Sequence, residues 1–477
     1  MSLLACTTRR ALISGASVPS SSASALPRGV LFETRRYASR KRWKAKDESK
    51  KSGVQRDASG KPLASKKEKT PPLFTPLPVE QLKATVFEVE SRSGVSTEEG
   101  AKEKESGRKV LKFLSKNVKR ENVGLAMEFV KSQSGDGVSK HFGLPKTVWK
   151  EFKLLGRPTS VVRDVTIDTV EALDKAAELS SAETRLVLSG KSGCGKSYLL
   201  VQAVEHCAAS GWVVLYIPRA VNLVNSTTPY TYDIRTQTFL QPESSYQILH
   251  RVKEANKKVF QELKTQNALV VDGWKTVPAG TTLSELVDLP REEVGRAPVV
   301  LDWLMKELEG QTTHPVLLAV DDFQALFNRT AYRDPHFKPI APYHMQVPRL
   351  LLEFAAGKRK FAKGAVVGAL NASDPVYGIT TELSEALELD PAGGKLGAPW
   401  PYEKRSTFLT EYAQGMRKVD VPAGLSVREA ESVFEVWMKQ RVLASKAYDE
   451  LFMAKYVESA GNARDFVWKG LLGTLQT

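Results

Sequence analysis

The sequence is poor in cysteine, with only Cys6, Cys194 and Cys207 among 477 residues. Three scattered cysteines supply neither a disulfide framework nor the paired spacing of a zinc site, which fits a reducing compartment. No hydrophobic run reaches the length that crosses a bilayer, so we predict no membrane span. A Gly-x-Ser-x-Gly elbow is also missing, which argues against a serine hydrolase of that type.

Acidic residues are absent from positions 1–32, which carry three arginines among many Ser, Ala and Leu residues. This composition is typical of a mitochondrial presequence, and positions 35–39 (Arg-Arg-Tyr-Ala-Ser) resemble a matrix-protease cleavage site. We therefore predict a presequence at 1–38 and a location in the mitochondrial matrix. The alternative interpretation is an N-terminus that is disordered without a targeting role.

The net charge of +15 is concentrated near the N-terminus. Residues 1–38 carry five basic and one acidic side chain, and residues 39–70 carry twelve basic and four acidic ones. This leaves +3 for residues 71–477, so the body of the protein is nearly neutral. We predict a disordered basic arm at 39–78, because its composition cannot bury enough apolar surface. With Trp43 among its cations, the arm suits either an RNA surface or a solvated tail.

Beyond the arm, strand-like and helix-like segments alternate, which predicts an α/β fold with a parallel sheet. We predict an N-terminal helical segment at 79–155, with one helical piece at 109–114. A nucleotide-binding domain follows at 156–380, with an insertion near 221–297, and a helical C-terminal domain occupies 381–477. Apolar strands are expected at 186–188, 212–217, 316–320 and 364–370, and helices near 246–263 and 299–308.

The most specific motif matches the phosphate-binding pattern Gly-x-x-x-x-Gly-Lys-Ser without a mismatch. Its residues are Gly190, Lys191, Ser192, Gly193, Cys194, Gly195, Lys196 and Ser197. A strand-like segment precedes the motif and a helix-like segment follows it, as a phosphate loop requires. We predict that backbone N–H groups cradle the phosphates, that Lys196 reaches the outer phosphates, and that Ser197 binds Mg2+.

A second acidic motif follows the apolar strand 316–320, where Asp321 and Asp322 stand together. We predict that Asp321 holds Mg2+ opposite Ser197, as in other phosphate-loop proteins. Asp322 stands where many AAA+-type ATPases carry a water-activating Glu, and it is shorter by one methylene. Catalysis by Asp322 is thus an open question, and we expect hydrolysis to be slow or absent.

Two further residues are candidate sensors of the phosphates. Asn371 follows the strand 364–370 and could contact the γ-phosphate or an attacking water, although an Asn that starts a turn is an equal alternative. The segment 461–464 (Gly-Asn-Ala-Arg) is similar to the second sensor of AAA+-type ATPases, in which an Arg reaches the phosphates from a helical lid. Arg464 is therefore a candidate ligand, and an exposed Arg at a helix start is the alternative.

The chain also lacks the Asn-Lys-x-Asp segment with which Ras-like GTPases read guanine, which argues against a Ras-like fold. The phosphate loop itself contacts phosphates and not bases. The motifs therefore do not decide whether the base of the nucleotide is guanine or adenine.

The order of these motifs resembles the death-associated protein 3 family of the mitochondrial ribosome, in its fungal form. The similar segments include 142–145 (Phe-Gly-Leu-Pro), the phosphate loop, 317–321 (Leu-Leu-Ala-Val-Asp), 323–327 (Phe-Gln-Ala-Leu-Phe) and 339–342 (Pro-Ile-Ala-Pro). The resemblance covers roughly residues 140–477. It implies an AAA+-like P-loop NTPase fold, a parallel sheet flanked by helices, with a helical C-terminal lid.

The resemblance also implies a function. Members of this family belong to the small subunit of the mitochondrial ribosome and bind a guanine nucleotide, so the expected cofactors are GTP or GDP, with ATP possible, and Mg2+. The expected partners are small-subunit proteins and ribosomal RNA, with one copy per particle. The alternative function is an active AAA+-like NTPase or a GTPase switch in the matrix, which would need an arginine finger such as Arg329 or Arg333.

Overall fold

The computed structural model describes residues 111–113, 117–129, 138–269, 276–389, 402, 404–440 and 449–473. The predicted presequence at 1–38 and the basic arm at 39–78 lie outside the described residues, so both stay predictions. In the described part, helices and strands alternate in a mixed α/β arrangement.

The described strands form a five-stranded sheet, a three-stranded sheet and a two-stranded hairpin. They are β1 Leu111–Phe113, β2 Ala126–Phe129, β3 Thr159–Val161, β4 Arg185–Ser189, β5 Val213–Ile217, β6 Thr231–Asp233, β7 Thr238–Leu240, β8 Val316–Asp321, β9 Gly364–Ala369 and β10 Arg417–Asp420. The helices are α1 Val138–Phe142, α2 Lys146–Leu155, α3 Asp164–Ala176, α4 Lys196–Ala209, α5 Val221–Val224, α6 Pro242–Ala255, α7 Lys257–Glu262, α8 Leu283–Asp288, α9 Ala297–Gly310, α10 Gln346–Ala355, α11 Thr381–Ala386, α12 Thr407–Ala413, α13 Val427–Lys439, α14 Asp449–Glu458 and α15 Ala463–Asp465. A π-helical turn, Phe466–Leu471, follows α15 directly.

The central sheet has five parallel strands in the order β10-β4-β9-β8-β5. The four predicted apolar strands are confirmed as β4, β5, β8 and β9. Their residues are almost all buried, because α4 packs across β5, β8 and β9 and α3 packs against α4 and β9. Strands covered in this way read as continuous apolar runs. The parallel sheet flanked by helices is therefore confirmed.

Three segments differ from their predictions. The piece predicted as helical at 109–114 contains β1, whose Phe113 ring packs edge-on against Phe129 at 5.3 Å. Strand β10 lies in the region predicted as helical and completes the central sheet beside β4. The helix predicted near 246–263 is split at Asn256, whose side chain accepts a hydrogen bond from Val214 N and donates one to Val214 O, both at 2.8 Å.

The C-terminal helices form a separate apolar cluster. Ser426 and Glu429 form a capping box at the start of α13, in which each residue satisfies a backbone N–H group of the other. Phe434 and Trp437 of α13 pack with Phe466 in the cluster, which also takes in Leu155 from α2. The C-terminal region is thus joined both to the central sheet, through β10, and to the helix α2. No helix among the described residues is long and apolar enough to cross a membrane.

Strand β9 starts at a position that only glycine can fill. Gly364 has φ +136°, and a Cβ there would lie 2.8 Å from the carbonyl carbon of Val316 on β8. We expect Gly364→Ala to lower the free energy of unfolding by about 3 kcal/mol, since backbone strain and overpacking add. Urea denaturation measures the loss. Gly378→Ala, where no atom lies within 4 Å of the new Cβ, is the control and should be close to wild type.

Candidate functional site

The phosphate loop connects β4 to α4, as the sequence predicts. Gly193 has φ +80°, and a Cβ at this position would lie 3.0 Å from Cβ of Arg464. Lys196 is buried and folds back over the loop, where its Nζ donates to Gly190 O at 2.9 Å and to Lys191 O at 2.7 Å. Burial lowers the pKa of Lys196. The loop thus holds the Lys196 ammonium group against the carbonyl oxygens of Gly190 and Lys191.

Ser197 and Asp321 meet at the carboxyl ends of β4 and β8. The Asp321 carboxylate is almost fully buried, and the nearby Ser197 side chain acts to lower the pKa of its carboxyl group. Burial, followed by the neighbouring Asp322 carboxylate, raises the pKa of Asp321 to about 7. A hydroxyl and a carboxylate are hard oxygen ligands, and Mg2+ commonly takes only one or two protein ligands beside phosphates and water. This pair of residues therefore fits Mg2+.

No described residues form a cluster of three or more His, Cys, Asp or Glu side chains that could hold a metal. A metal at Ser197 and Asp321 would accordingly need oxygens from a phosphate and from water. This agrees with the way Mg2+ binds in nucleotide sites.

The Asp322 carboxylate contacts two neighbouring side chains. Its Oδ1 accepts a hydrogen bond from Asn371 Nδ2 at 2.8 Å, and its Oδ2 lies 3.5 Å from Nε of Arg219. Burial raises the pKa of Asp322, while Asn371 and Arg219 act in the opposite direction. Its backbone has φ +55°, an unusual conformation for a residue with a side chain. Because Asn371 holds Asp322, the two candidate residues form one polar unit.

The start of α15 closes over the phosphate loop. Asn462 Nδ2 donates to Ser192 O at 2.8 Å, and Arg464 N donates to Gly193 O at 3.0 Å. The Arg464 guanidinium donates to the hydroxyls of Ser192 at 2.9 Å and of Ser373 at 3.0 Å. The structure thus brings the predicted sensor Arg464 to the loop, and its side chain remains partly exposed.

Arg163, which precedes α3, holds the other side of the loop. Its Nη1 donates to Cys194 O at 2.8 Å, and its Nη2 donates to Gly424 O at 2.9 Å. Its Nε lies 3.2 Å from Glu429 Oε2, and both side chains are largely buried. One guanidinium therefore connects the phosphate loop with the segment that leads from β10 into α13.

A cavity of about 460 Å3 lies against the loop. The predicted residues in its wall are Ser192, Gly193, Cys194, Gly195, Lys196, Ser197, Asp321, Asp322, Asn371 and Arg464. Gly190 and Lys191 belong to the loop but not to the wall. Another part of the wall is apolar and contains Leu155, Val433 and Trp437. Its volume is within the usual range for small-molecule sites.

Three residues around the loop were not predicted from the sequence, namely Arg163, Arg219 and Glu429. Glu429 belongs to a capping-box pattern, which indicates a helix start and not a site, and no local pattern marks the two arginines. Their partners lie far away in sequence, since Arg163 and Glu429 are separated by 266 positions. The sequence signal closest to Arg219 is its place directly after β5 and Pro218, at the carboxyl edge of the sheet.

The chain is similar in sequence to known proteins over most of its length. The model of the family "mitochondrial ribosomal death-associated protein 3" matches residues 160–468. The chain is 27% identical over 324 residues to the small ribosomal subunit protein mS29 of Neurospora crassa, which covers 67% of this chain and 68% of that protein.

Two other relatives carry the same name. The mS29 protein of Schizosaccharomyces pombe is 24% identical over 330 residues, covering 68% of this chain and 67% of that protein. The mS29 protein of Mus musculus is 26% identical over 239 residues, covering 49% of this chain and 60% of that protein. Because the family model matches well over half of the residues, the chain belongs to the mitochondrial ribosomal death-associated protein 3 family.

Proposed function

We propose that this protein is a structural component of the small subunit of the mitochondrial ribosome and binds a purine nucleotide with Mg2+ to support its fold and assembly. It acts in the mitochondrial matrix, as one copy beside ribosomal RNA and small-subunit proteins. The relatives from fungi and mammals support the ribosomal part, since all are small ribosomal subunit proteins. The convergence of the phosphate loop, the Ser197–Asp321 pair and Arg464 on one cavity carries the nucleotide part.

The phosphate loop and the two magnesium ligands have distinct tasks. The N–H groups of the loop and the first turn of α4 would hold phosphate oxygens, and the Lys196 ammonium would neutralise their charge. Ser197 and Asp321 would hold Mg2+, which neutralises phosphate charge when it is bound. Arg464 would add a second cation from the C-terminal side.

The strand order favours an AAA+-like arrangement of the P-loop type. Strand β9 lies between β4, which carries the phosphate loop, and β8, which carries Asp321. Asn371, just beyond β9, is therefore placed between the loop and the acidic pair. This is the location from which a polar side chain can sense a terminal phosphate.

The nucleotide acts mainly as a bound ligand that stabilises the protein, and its hydrolysis is of minor importance. Asp322 is held by Asn371 and lies 3.5 Å from the Arg219 guanidinium, so it is poorly placed to take a proton from water. We therefore infer slow or absent hydrolysis. GTP or GDP is the expected ligand, and ATP is the competing outcome. The place of Asp322 directly after β8, beside Asp321, is the observation that favours the second candidate function, an active NTPase.

A bound nucleotide would hold together three parts of the chain. The loop is connected to α3 and α13 through Arg163 and to α15 through Asn462 and Arg464. A ligand that binds only the folded state adds about 4 kcal/mol of stability at a thousandfold excess over its Kd. Stabilisation of this size is enough to distinguish folded protein that can assemble into the ribosome from partly unfolded protein.

Sedimentation tests the proposed function. Full-length protein with an affinity tag is expressed in mitochondria, and a matrix extract is separated on a gradient that contains Mg2+. We expect co-migration with the small ribosomal subunit, and a guanine nucleotide released by denaturing the purified protein. An untagged extract controls for carry-over. A free hexamer with rapid NTP turnover would contradict the proposal and support the active NTPase.

A further inference from the structure

A second conspicuous surface lies away from the phosphate loop, on the hairpin formed by β6 and β7 and the adjoining turn 333–339. We call it the hairpin face. Tyr230 joins its two parts, because its hydroxyl donates to Arg333 O and its ring packs edge-on against Tyr332 at 5.1 Å. The ring of Tyr232 lies 5.0 Å from that of Phe239. The hairpin face is therefore one packed unit.

The turn is held in shape by its own hydrogen bonds. Asp334 Oδ1 accepts the N–H groups of His336 at 2.9 Å and of Lys338 at 2.8 Å, and Phe337 N donates to Asp334 O at 2.9 Å. Phe337 has φ +61°, which is a genuine outlier for a bulky residue. A fixed turn thus presents this ring in a conformation that local preference opposes.

Large apolar side chains of the hairpin face point into solvent. Ile234 is 81% exposed, Phe337 is 79% exposed and Tyr232 is 54% exposed. Single exposed apolar residues are ordinary, but three on neighbouring rigid elements form a patch of the kind that marks a binding surface.

The charged side chains around this patch include more cations than acids, and Arg235 is the one that pairs with an acid, since its Nε lies 3.6 Å from Asp233 Oδ1. Asp334 is used by the turn, and Asp233 accepts hydrogen bonds from Arg235 N and Thr236 Oγ1, both at 3.1 Å. No described carboxylate lies within ion-pair distance of Arg333 or Lys338, and both residues are exposed. The acids therefore shape the turns. Arg333 also takes part, because its Nη1 donates to Phe337 O at 2.8 Å, while its other N–H groups and the exposed Lys338 ammonium make no ion pair with a described carboxylate.

We propose that the hairpin face binds single-stranded RNA, with bases stacked on Phe337 and Tyr232 and phosphates neutralised by Arg333 and Lys338. Aromatic rings beside cations that have no acidic partner match the two needs of an unpaired strand, stacking of bases and neutralisation of the backbone. A protein partner would require acidic groups for these cations, whereas RNA provides a phosphate at every nucleotide. The inference is independent of the nucleotide proposed at the phosphate loop.

Fluorescence anisotropy with the full-length protein and an oligouridine of about 12 nucleotides tests the proposal. We expect Phe337→Ala to weaken binding at least about fivefold, which corresponds to the loss of one stacked base. Lys338→Ala should reduce the slope of log K against log salt concentration by about 0.7. Tyr402→Ala is the matched control, because its ring is 83% exposed outside the hairpin face, and its affinity should equal that of wild type.

Crosslinking separates this site from the basic arm at 39–78. With 4-thiouridine in the oligonucleotide, we expect crosslinked peptides that contain Tyr232 or Phe337. Unchanged affinity in Phe337→Ala, with crosslinks confined to residues 39–78, would overturn the proposal. So would a photoreactive side chain at position 337 that captures a ribosomal protein and no RNA in the assembled small subunit.

Discussion

Lys196→Ala is expected to remove most of the stabilisation that the protein gains from a guanine nucleotide with Mg2+. The Nζ of Lys196 lies inside the loop, 2.9 Å from Gly190 O and 2.7 Å from Lys191 O, where it would meet the outer phosphates. Hydrogen bonds to charged groups contribute about 1.5–3 kcal/mol each. Losing two such bonds to the phosphates weakens binding by at least about 100-fold.

The size of the effect follows from mass action. At a thousandfold excess of nucleotide over its Kd, the wild type gains about 4 kcal/mol. A 100-fold weaker variant at the same concentration gains about 1.4 kcal/mol. Urea denaturation with and without Mg2+-GTP measures this difference, and the nucleotide-free curve reports separately on the hydrogen bonds that Lys196 makes within the loop.

Lys191→Ala is the matched control for Lys196→Ala. It removes the same charge from the same loop, but Lys191 is exposed and lies outside the wall of the cavity. We expect its stabilisation by nucleotide to stay close to wild type. Equal losses in the two variants would mean that the general charge of the loop matters and that the position of Lys196 does not. Normal entry of Lys196→Ala into ribosomes without bound nucleotide would refute a supporting role for the ligand.

The parts of the fold that follow from short-range patterns were predictable. Apolar runs revealed the strands β4, β5, β8 and β9, because a parallel sheet covered by helices buries both faces of each strand. The phosphate loop was also visible, since glycine conformations and the Lys-Ser pair are fixed over eight residues. Asp321 was found because the apolar strand that it ends is unmistakable.

The contacts that close the site could not be predicted from short-range patterns in the sequence. Asn462 contacts Ser192 across 270 positions, and Arg163 contacts Glu429 across 266. Such pairs depend on how β10 returns to the edge of the sheet, and β10 itself is a short strand with one apolar residue among three charged ones, in a region that otherwise favours helices. Tertiary packing decides these contacts, and propensity does not.

Arg163→Ala is expected to destabilise the protein by about 3–5 kcal/mol, the usual cost of removing one partner of a buried ion pair. The exposed fractions of the Arg163 and Glu429 side chains are only 12% and 7%. The substitution leaves the Glu429 carboxylate without its cation, and it leaves the carbonyl oxygens of Cys194 and Gly424 without this donor. Urea denaturation of the nucleotide-free protein measures the loss.

Two further variants show whether the geometry of Arg163 matters as well as its charge. Arg163→Lys keeps the charge but not the planar fork that reaches Cys194 O and Gly424 O together, so it should recover only part of the loss. In Arg163→Ala/Glu429→Gln no unpaired carboxylate remains, and the loss should be smaller than the sum of the two single losses by about 1 kcal/mol or more.

Lys439→Ala is the control for Arg163→Ala, because it breaks the half-exposed ion pair of Lys439 with Glu435 on the same helix α13. Its expected cost is about 0.5 kcal/mol or less. If Arg163→Ala cost no more than this control, the connection between the phosphate loop and α13 would be incidental. If it costs several kcal/mol and also weakens nucleotide binding, Arg163 links the order of the loop to the docking of the C-terminal helices. A nucleotide in the cavity could then support the segment from β10 to α15 without being hydrolysed.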